Sequence, residues 1–249
     1  MAKATGILKI EGTIEDLTFY KKDGKNFVKR KSAVSKERLQ NDPSYVRTRE
    51  NNNEFKNNAN SGKVLRLALN TMVYKAKDNK LSSRMLQLMN EIKKYDDVSV
   101  RGQRNVALGI ATAEGKLALK GFDFNANAPL KSMLFAPYLL DTGTGIVKFT
   151  NLVPGEQVHF PQGATHFSLQ CAYLVLDFAT GISEIGYSGI ENLPLNFTVS
   201  NPTLTPASVP TATGTKVYLL MVSFYQEVNG VQYSLKNEEY NVLHVMEVL

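Results

Sequence analysis

Short runs in which apolar and polar residues alternate fill the first thirty residues, and such alternation predicts strands. Ile7, Leu8 and Ile10 are read as a short first strand. Leu17 to Lys22 and Lys25 to Arg30 form a hairpin around Asp23-Gly24, because glycine accepts the positive φ of a two-residue turn. Phe19, Tyr20 and Phe27 give this hairpin something to bury. Two or three strands alone are marginal in water, so the unit is expected to pack on the rest of the chain or on another copy.

The pattern then becomes helical. Ser35 to Arg38 suits a short helix, and Asp42-Pro43 suits a helix start: the carboxylate caps free N–H groups and proline loses nothing in the first turn. Six of the ten residues from Asn51 to Asn60 are asparagine, a poor helix former whose side chain competes for backbone hydrogen bonds. Such a run must be held by its surroundings or meet something polar. From Val64 the sequence turns apolar through Leu65, Leu67, Ala68, Leu69, Met72 and Val73, and Gly62 is read as a break between the two parts. Leu81, Met85, Leu88, Met89 and Ile92 recur at helical spacing and predict a helix over 81–94, its methionines serving as core filler. Thr112 to Leu119 predicts one more, ending at Gly121.

After Phe122 β-branched and aromatic residues dominate. Strands are expected near 131–140, 146–150, 156–160, 166–178, 183–188, 195–200, 215–227, 231–236 and 242–249. Asp141 to Gly145, Pro154-Gly155, Gly181 and Asn229-Gly230 supply the turns between them. Regularly spaced short strands read as an antiparallel sandwich or barrel. Asn201 to Gly214, rich in Pro, Thr and Ser, is read as an exposed loop or linker. The fold class is therefore α+β, with a basic hairpin-plus-helix module over 1–121 and a β-sandwich over 122–249.

Composition adds little to this until charge is divided. With 43% hydrophobic and 21% charged residues, 249 residues suffice for a sizeable core. Residues 1–120 carry 25 Lys/Arg against 13 Asp/Glu, and residues 121–249 carry 4 against 10, so balances of +12 and −6 make up the net +6. That asymmetry suggests a polyanion partner for the basic half or a contact between the halves, within one chain or between copies. The single Cys171 excludes an intramolecular disulfide and, within an apolar run, reads as a buried small hydrophobe. No run reaches the ~20 apolar residues of a membrane span, and no secretory signal is evident at the start, so a cytoplasmic location is expected, with export by another route left open. The Asn196-Phe197-Thr198 sequon is then a coincidence.

Three stretches carry a likeness. The Lys22-Asp23-Gly24-Lys25 turn, the run Arg47-Thr48-Arg49-Glu50-Asn51-Asn52, and VYLLMVSFYQEVNGVQY near the end resemble those of an uncharacterised protein family common in Bacteroidota. The resemblance spans the whole chain and implies a hairpin-plus-helix module followed by an immunoglobulin-like β-sandwich. It carries over no functional residues and no activity.

Catalytic motifs weigh little. Asp141-Thr142-Gly143 after an apolar strand resembles the aspartic-protease signature, but that chemistry needs two carboxylates, and the same residues make a good hairpin turn. His159, His166, His244 and Cys171 lack metal-ligand spacing, and no phosphate-binding glycine loop or nucleophile elbow is present. Neither a cofactor nor a metal is expected. The basic residues weigh more. Lys21, Lys22, Lys25, Lys29, Arg30 and Lys31 cluster on and after the hairpin, while Arg47, Arg49, Lys56, Lys63 and Arg66 follow along the helical region. Lys29, Arg30, Lys31, Arg47, Arg49, Lys56, Lys63 and Arg66 are the candidate contacts, for assembly or for a polyanion. The expectation is a non-enzymatic, self-assembling subunit of a filament, appendage or phage-like particle, homo-oligomeric or bound to other subunits, that docks through its basic N-terminal module and its acidic β-sandwich. The alternatives are a nucleic-acid-binding protein and a monomeric adaptor.

Overall fold

The computed structural model describes residues 2–3, 10–31, 34–235 and 239–249. Within them the chain forms two compact units, divided between Asn51 and Asn52. The division falls ahead of the compositional change at 121–122, because the helices after Asn52 share a hydrophobic core with the sheet that follows.

In the first unit, strands β1 (Ala2–Lys3), β2 (Gly12–Ile14), β3 (Leu17–Lys22) and β4 (Lys25–Arg30) form one antiparallel sheet in the order β1-β4-β3-β2. Asp23 and Gly24 both adopt positive φ, 51° and 73°, as the two-residue turn between β3 and β4 requires. Of the expected first strand, Ile7 and Leu8 lie outside the described residues, and Ile10 is irregular; the pairing segments are β1 and β2 instead. Helix α1 (Lys36–Asn41) is capped by Ser35, whose hydroxyl accepts the Arg38 N–H. Asp42 caps a 3₁₀ turn over Pro43–Tyr45, and helix α2 (Val46–Ala68) follows.

The second unit is layered. Its centre is a six-stranded antiparallel sheet built on β7 (His166–Leu176) and β11 (Thr215–Val228), paired over their length. β13 (Val242–Val248) and β12 (Val231–Ser234) flank β11, while β8 (Ser183–Tyr187) and β9 (Glu191–Pro194) flank β7. β7 is almost wholly buried, and so is the centre of β11 over Val217–Phe224, which is why these stretches read as continuous apolar runs rather than as alternation. On one face Ala172, Leu174, Leu176, Val217 and Leu219 pack against α2, α3 (Asn70–Lys75), α4 (Leu81–Ile92), α5 (Val106–Gly109) and α6 (Ala113–Leu119). On the other, Leu169, Tyr173, Leu220 and Val222 meet a three-stranded sheet, β5 (Tyr138–Leu140), β6 (Val147–Phe149) and β10 (Thr203–Leu204). The chain is thus a mixed α+β protein with antiparallel sheets.

Several expected elements are displaced, each for a local reason. Gly62 does not break α2: a Cβ there would lie 2.9 Å from Met85 Cγ, so the glycine lets α4 approach, and the helix ends instead at Leu69. The segment 131–140 holds a short helix, α7 (Leu130–Met133), before β5. Pro154 starts another, α8 (Pro154–Gln157), where a strand was expected near 156–160. Pairing on β7 falls at β9 rather than at 195–200. The Pro/Thr-rich segment 201–214 is a largely exposed loop, pinned to the second unit rather than serving as a linker. It contributes β10, buries Pro202, Leu204, Pro206 and Pro210, and donates the Thr211 and Ala212 N–H groups to Glu184. Among the described residues no helix is long and apolar enough to cross a membrane.

Candidate functional site

The asparagine run is held by a carboxylate. Glu54, on the buried face of α2, accepts from Lys93 Nζ at 2.6 Å, the Gly102 N–H at 2.8 Å, and Arg104 Nε and Nη2 at 3.0 and 3.3 Å. Burial pushes this carboxyl up, but the Arg104, Lys93 and Gly102 hydrogen bonds outweigh it and hold the group at about 2. Asn53 Nδ2 donates to the Gly102 carbonyl at 2.6 Å, and buried Asn58 donates to Asn90 Oδ1 at 3.2 Å. Asp96 fastens the same loop by accepting the Val98, Ser99 and Asn105 N–H groups. Both carboxylates are saturated by protein donors, so the arrangement is a clasp between α2 and the 93–105 loop rather than an acid or base open to substrate. The sequence reading missed it, although Glu54, Asn58, Ser61, Leu65 and Leu69 recur at helical spacing.

Asp141 is a turn residue. Its side chain accepts the Gly143 N–H at 2.9 Å and the Thr144 hydroxyl at 2.7 Å, and its carbonyl accepts the Gly145 N–H. Asp177 repeats this with Ala179, Thr180 and Gly181. The shared sequence is Asp-x-x-Thr-Gly-Ile, at 141–146 and 177–182, with Gly145 and Gly181 at φ of 76° and 78°. Hydrogen bonds from Thr144 and from Thr180 hold the two carboxyls below the usual range. Asp141→Asn and Asp177→Asn should therefore lower the melting temperature by similar small amounts, and the double variant by their sum, as distant independent sites do. A loss confined to Asp141→Asn, or any activity lost with it, would contradict the shared-turn assignment.

The histidines and the cysteine do not converge. His244 Nδ1 lies 2.7 Å from Asp123 Oδ1, and His166 pairs with Glu227 at 3.6 Å. Cys171 is fully buried, and burial pushes its thiol up. Cys171, Leu220 and His244 occupy one register row across three strands. Two strand spacings, about 10 Å, therefore separate the thiol's backbone from that of the histidine. Among the described residues no group of three His, Cys, Asp or Glu side chains is placed to hold a metal.

The basic residues part company. On the sheet of the first unit, Lys29 lies 5.4 Å from the Tyr20 ring centroid, exposed Arg30 pairs with Asp16 at 4.0 Å, and Lys31 is exposed. Arg47 pairs with Glu50 at 3.0 Å. Arg49 is structural: its Nη1 donates to the Leu39 and Asp42 carbonyls at 3.0 and 2.9 Å and ties α2 to the end of α1. In the second unit Lys56 stands exposed on α2. Lys63 and Arg66 join Lys77 around a cleft of about 470 Å³ between α2, α3 and the start of α4.

Strand register sorts the first unit's sheet into two faces. Ile14, Leu17, Phe19 and Val28 share one. Tyr20 and Phe27, stacked at 5.7 Å, share the other with Lys22, Lys25 and Lys29. None of the described residues from Ile10 to Asn51 is buried, and Ile14 and Leu17 are 52% and 45% exposed. Among its described residues the sheet therefore has no buried hydrophobic core of its own.

Neither a family model nor a curated protein nor a solved structure matches this chain.

Proposed function

We propose that this chain is a non-enzymatic, self-assembling structural protein, a subunit of a filament, appendage or phage-like particle, whose N-terminal sheet docks on another copy. The observation that carries the reading is the row Ile14, Leu17, Phe19 and Val28 on one face of a sheet in which none of the described residues is buried, with Ile14 and Leu17 exposed. Charge supports the same element. Residues 1–51 carry 12 Lys/Arg against 7 Asp/Glu, whereas residues 52–249 carry 17 against 16. The basic helices and the acidic strands thus compensate within the second unit, as in the Lys120–Glu247 pair at 2.5 Å. The surplus of +5 that remains on the first unit favours one adhesive element over two oppositely charged halves. The sandwich stays part of the proposal: the core shared by the three- and six-stranded sheets supports it, and an immunoglobulin-like arrangement is its finer form.

Sedimentation velocity at low and high salt tests the docking. The chain should sediment as species larger than one copy, and Leu17→Glu with Val28→Glu should return it to the monomer. A wild-type monomer across the accessible concentrations, or a double variant with the parental profile, would end this reading. Arg49 is unsuitable for a charge-reversal test, since its loss would loosen α1.

A second reading has its own observation. The stacked Tyr20 and Phe27 flanked by Lys22, Lys25 and Lys29 offer a π-surface with cations, as single-stranded nucleic acid requires. Its mark would be a complex with oligonucleotide that is lost steeply as salt rises and is abolished by Tyr20→Ser with Phe27→Ser.

A further inference from the structure

We infer that the cleft between α2, α3 and the start of α4 is a binding site for a small phosphate ester of about nucleotide size. Its volume, about 470 Å³, falls in the range of roughly 300–1,000 Å³ typical of small-molecule sites. Lys63 and Arg66 reach it from α2, and Lys77 from the segment after α3. The carboxylate in the lining, Asp78, does not offset them. It is taken up by Arg84, by the Lys80 N–H and by the Ala126 N–H, and these donors hold it below the usual carboxylate range against the upward push of burial. The concentration of charge is local, since the whole unit has a balance of only +1.

The cations are also ordered. Arg66 Nε donates to the Gly62 carbonyl at 3.1 Å and its Nη1 to the Ser82 hydroxyl at 2.6 Å, which fixes the plane of the guanidinium. A guanidinium held in this way loses little freedom on meeting phosphate oxygens. Asn70 adds an amide at the wall.

The organic part of the ligand follows from the apolar wall. Leu67 lines the cleft and is 60% exposed, with Val73 beside it. A free inorganic anion would leave the exposed Leu67 in water. A phosphate attached to an organic body would use the cations for its charge and Leu67 for that body.

Isothermal titration of the full chain with adenosine 5′-monophosphate, inorganic phosphate and a 20-nucleotide single strand distinguishes the sources of phosphate. The expected result is saturable one-to-one binding of the monophosphate, at least tenfold tighter than inorganic phosphate. It should weaken at least tenfold in Lys63→Ala with Lys77→Ala, two exposed positions whose loss leaves the unfolding midpoint in place. Leu67→Ser should weaken the monophosphate while leaving inorganic phosphate unchanged. Binding of the two small ligands with equal strength, binding unaltered by these variants, heat with the oligonucleotide alone, or no heat with any probe would each overturn the assignment.

Discussion

Glu54→Gln is expected to destabilise the fold by about 3–5 kcal/mol, because it leaves buried Lys93, and with it half-buried Arg104, without an anionic partner. The Glu54 and Lys93 side chains are only 4% and 10% exposed, and Arg104 reaches the same carboxylate from the far end of the loop. An amide retains the shape but supplies no charge and one acceptor oxygen for four donors. The pH dependence has a definite sign. The folded-state value of about 2 lies below the ordinary 4.5, so the stabilisation is complete above 4.5. As pH falls through that range the unfolded chain takes up the proton first, and the contribution drains away towards pH 2. It amounts to about 3 kcal/mol in all. Urea unfolding of the parent and of Glu54→Gln at pH 7 and pH 3 reads both effects: the gap between the two proteins should be wide at pH 7 and narrow at pH 3. A constant gap would place the cost in packing rather than in charge. Replacing all three by hydrophobic residues, Glu54→Leu, Lys93→Met and Arg104→Leu, should recover much of the loss, since no buried charge then remains unpaired.

The clasp also shows where sequence reading stops. Periodicity finds α4 because its buried positions are Leu81, Met85, Met89 and Ile92. It fails on the first half of α2, whose buried positions are Glu54, Asn58 and Ser61. The spacing is the same, but a hydrophobicity pattern does not register polar groups that are satisfied by distant donors at Lys93, Gly102 and Arg104. Hairpins were legible wherever the turn is local, as at Asp23-Gly24 and Asn229-Gly230, both with positive φ at each position. Short elements were not: β9, β10 and α8 depend on pairing partners or a single proline rather than on their own pattern. The paired turns at Asp141 and Asp177 were present in the sequence as a repeated hexamer and yield to comparison of the chain with itself. Of the candidate basic residues, Lys63 and Arg66 meet in one cleft, but their third partner Lys77 follows from the α2–α3 break at Leu69, which the sequence does not mark.

Gly109→Ala and Gly115→Ala should each cost about 3 kcal/mol or more, the upper end of what overpacking causes. The sign is the informative part. Exchanging glycine for alanine inside a helix ordinarily stabilises it by about 1 kcal/mol, and both residues lie in helices, α5 and α6. Here a Cβ on Gly109 would stand 2.1 Å from the Ile92 carbonyl oxygen at the end of α4. One on Gly115 would stand 1.9 Å from the carbonyl oxygen of Gly109 itself. Three backbones are therefore stacked in contact, and no side chain can swing aside to make room. Separating them would also move Lys93, the residue after α4, away from Glu54, so Gly109→Ala and Glu54→Gln should be less than additive when combined. Gly189→Ala is the matched control, because nothing lies within 4 Å of its Cβ. Thermal unfolding of the four single variants decides the matter: Gly109→Ala and Gly115→Ala should melt far below the parent and Gly189→Ala with it. If Gly109→Ala melts with the control, the helix ends are not held by backbone contact, and the clasp at Glu54 rests on its charges alone.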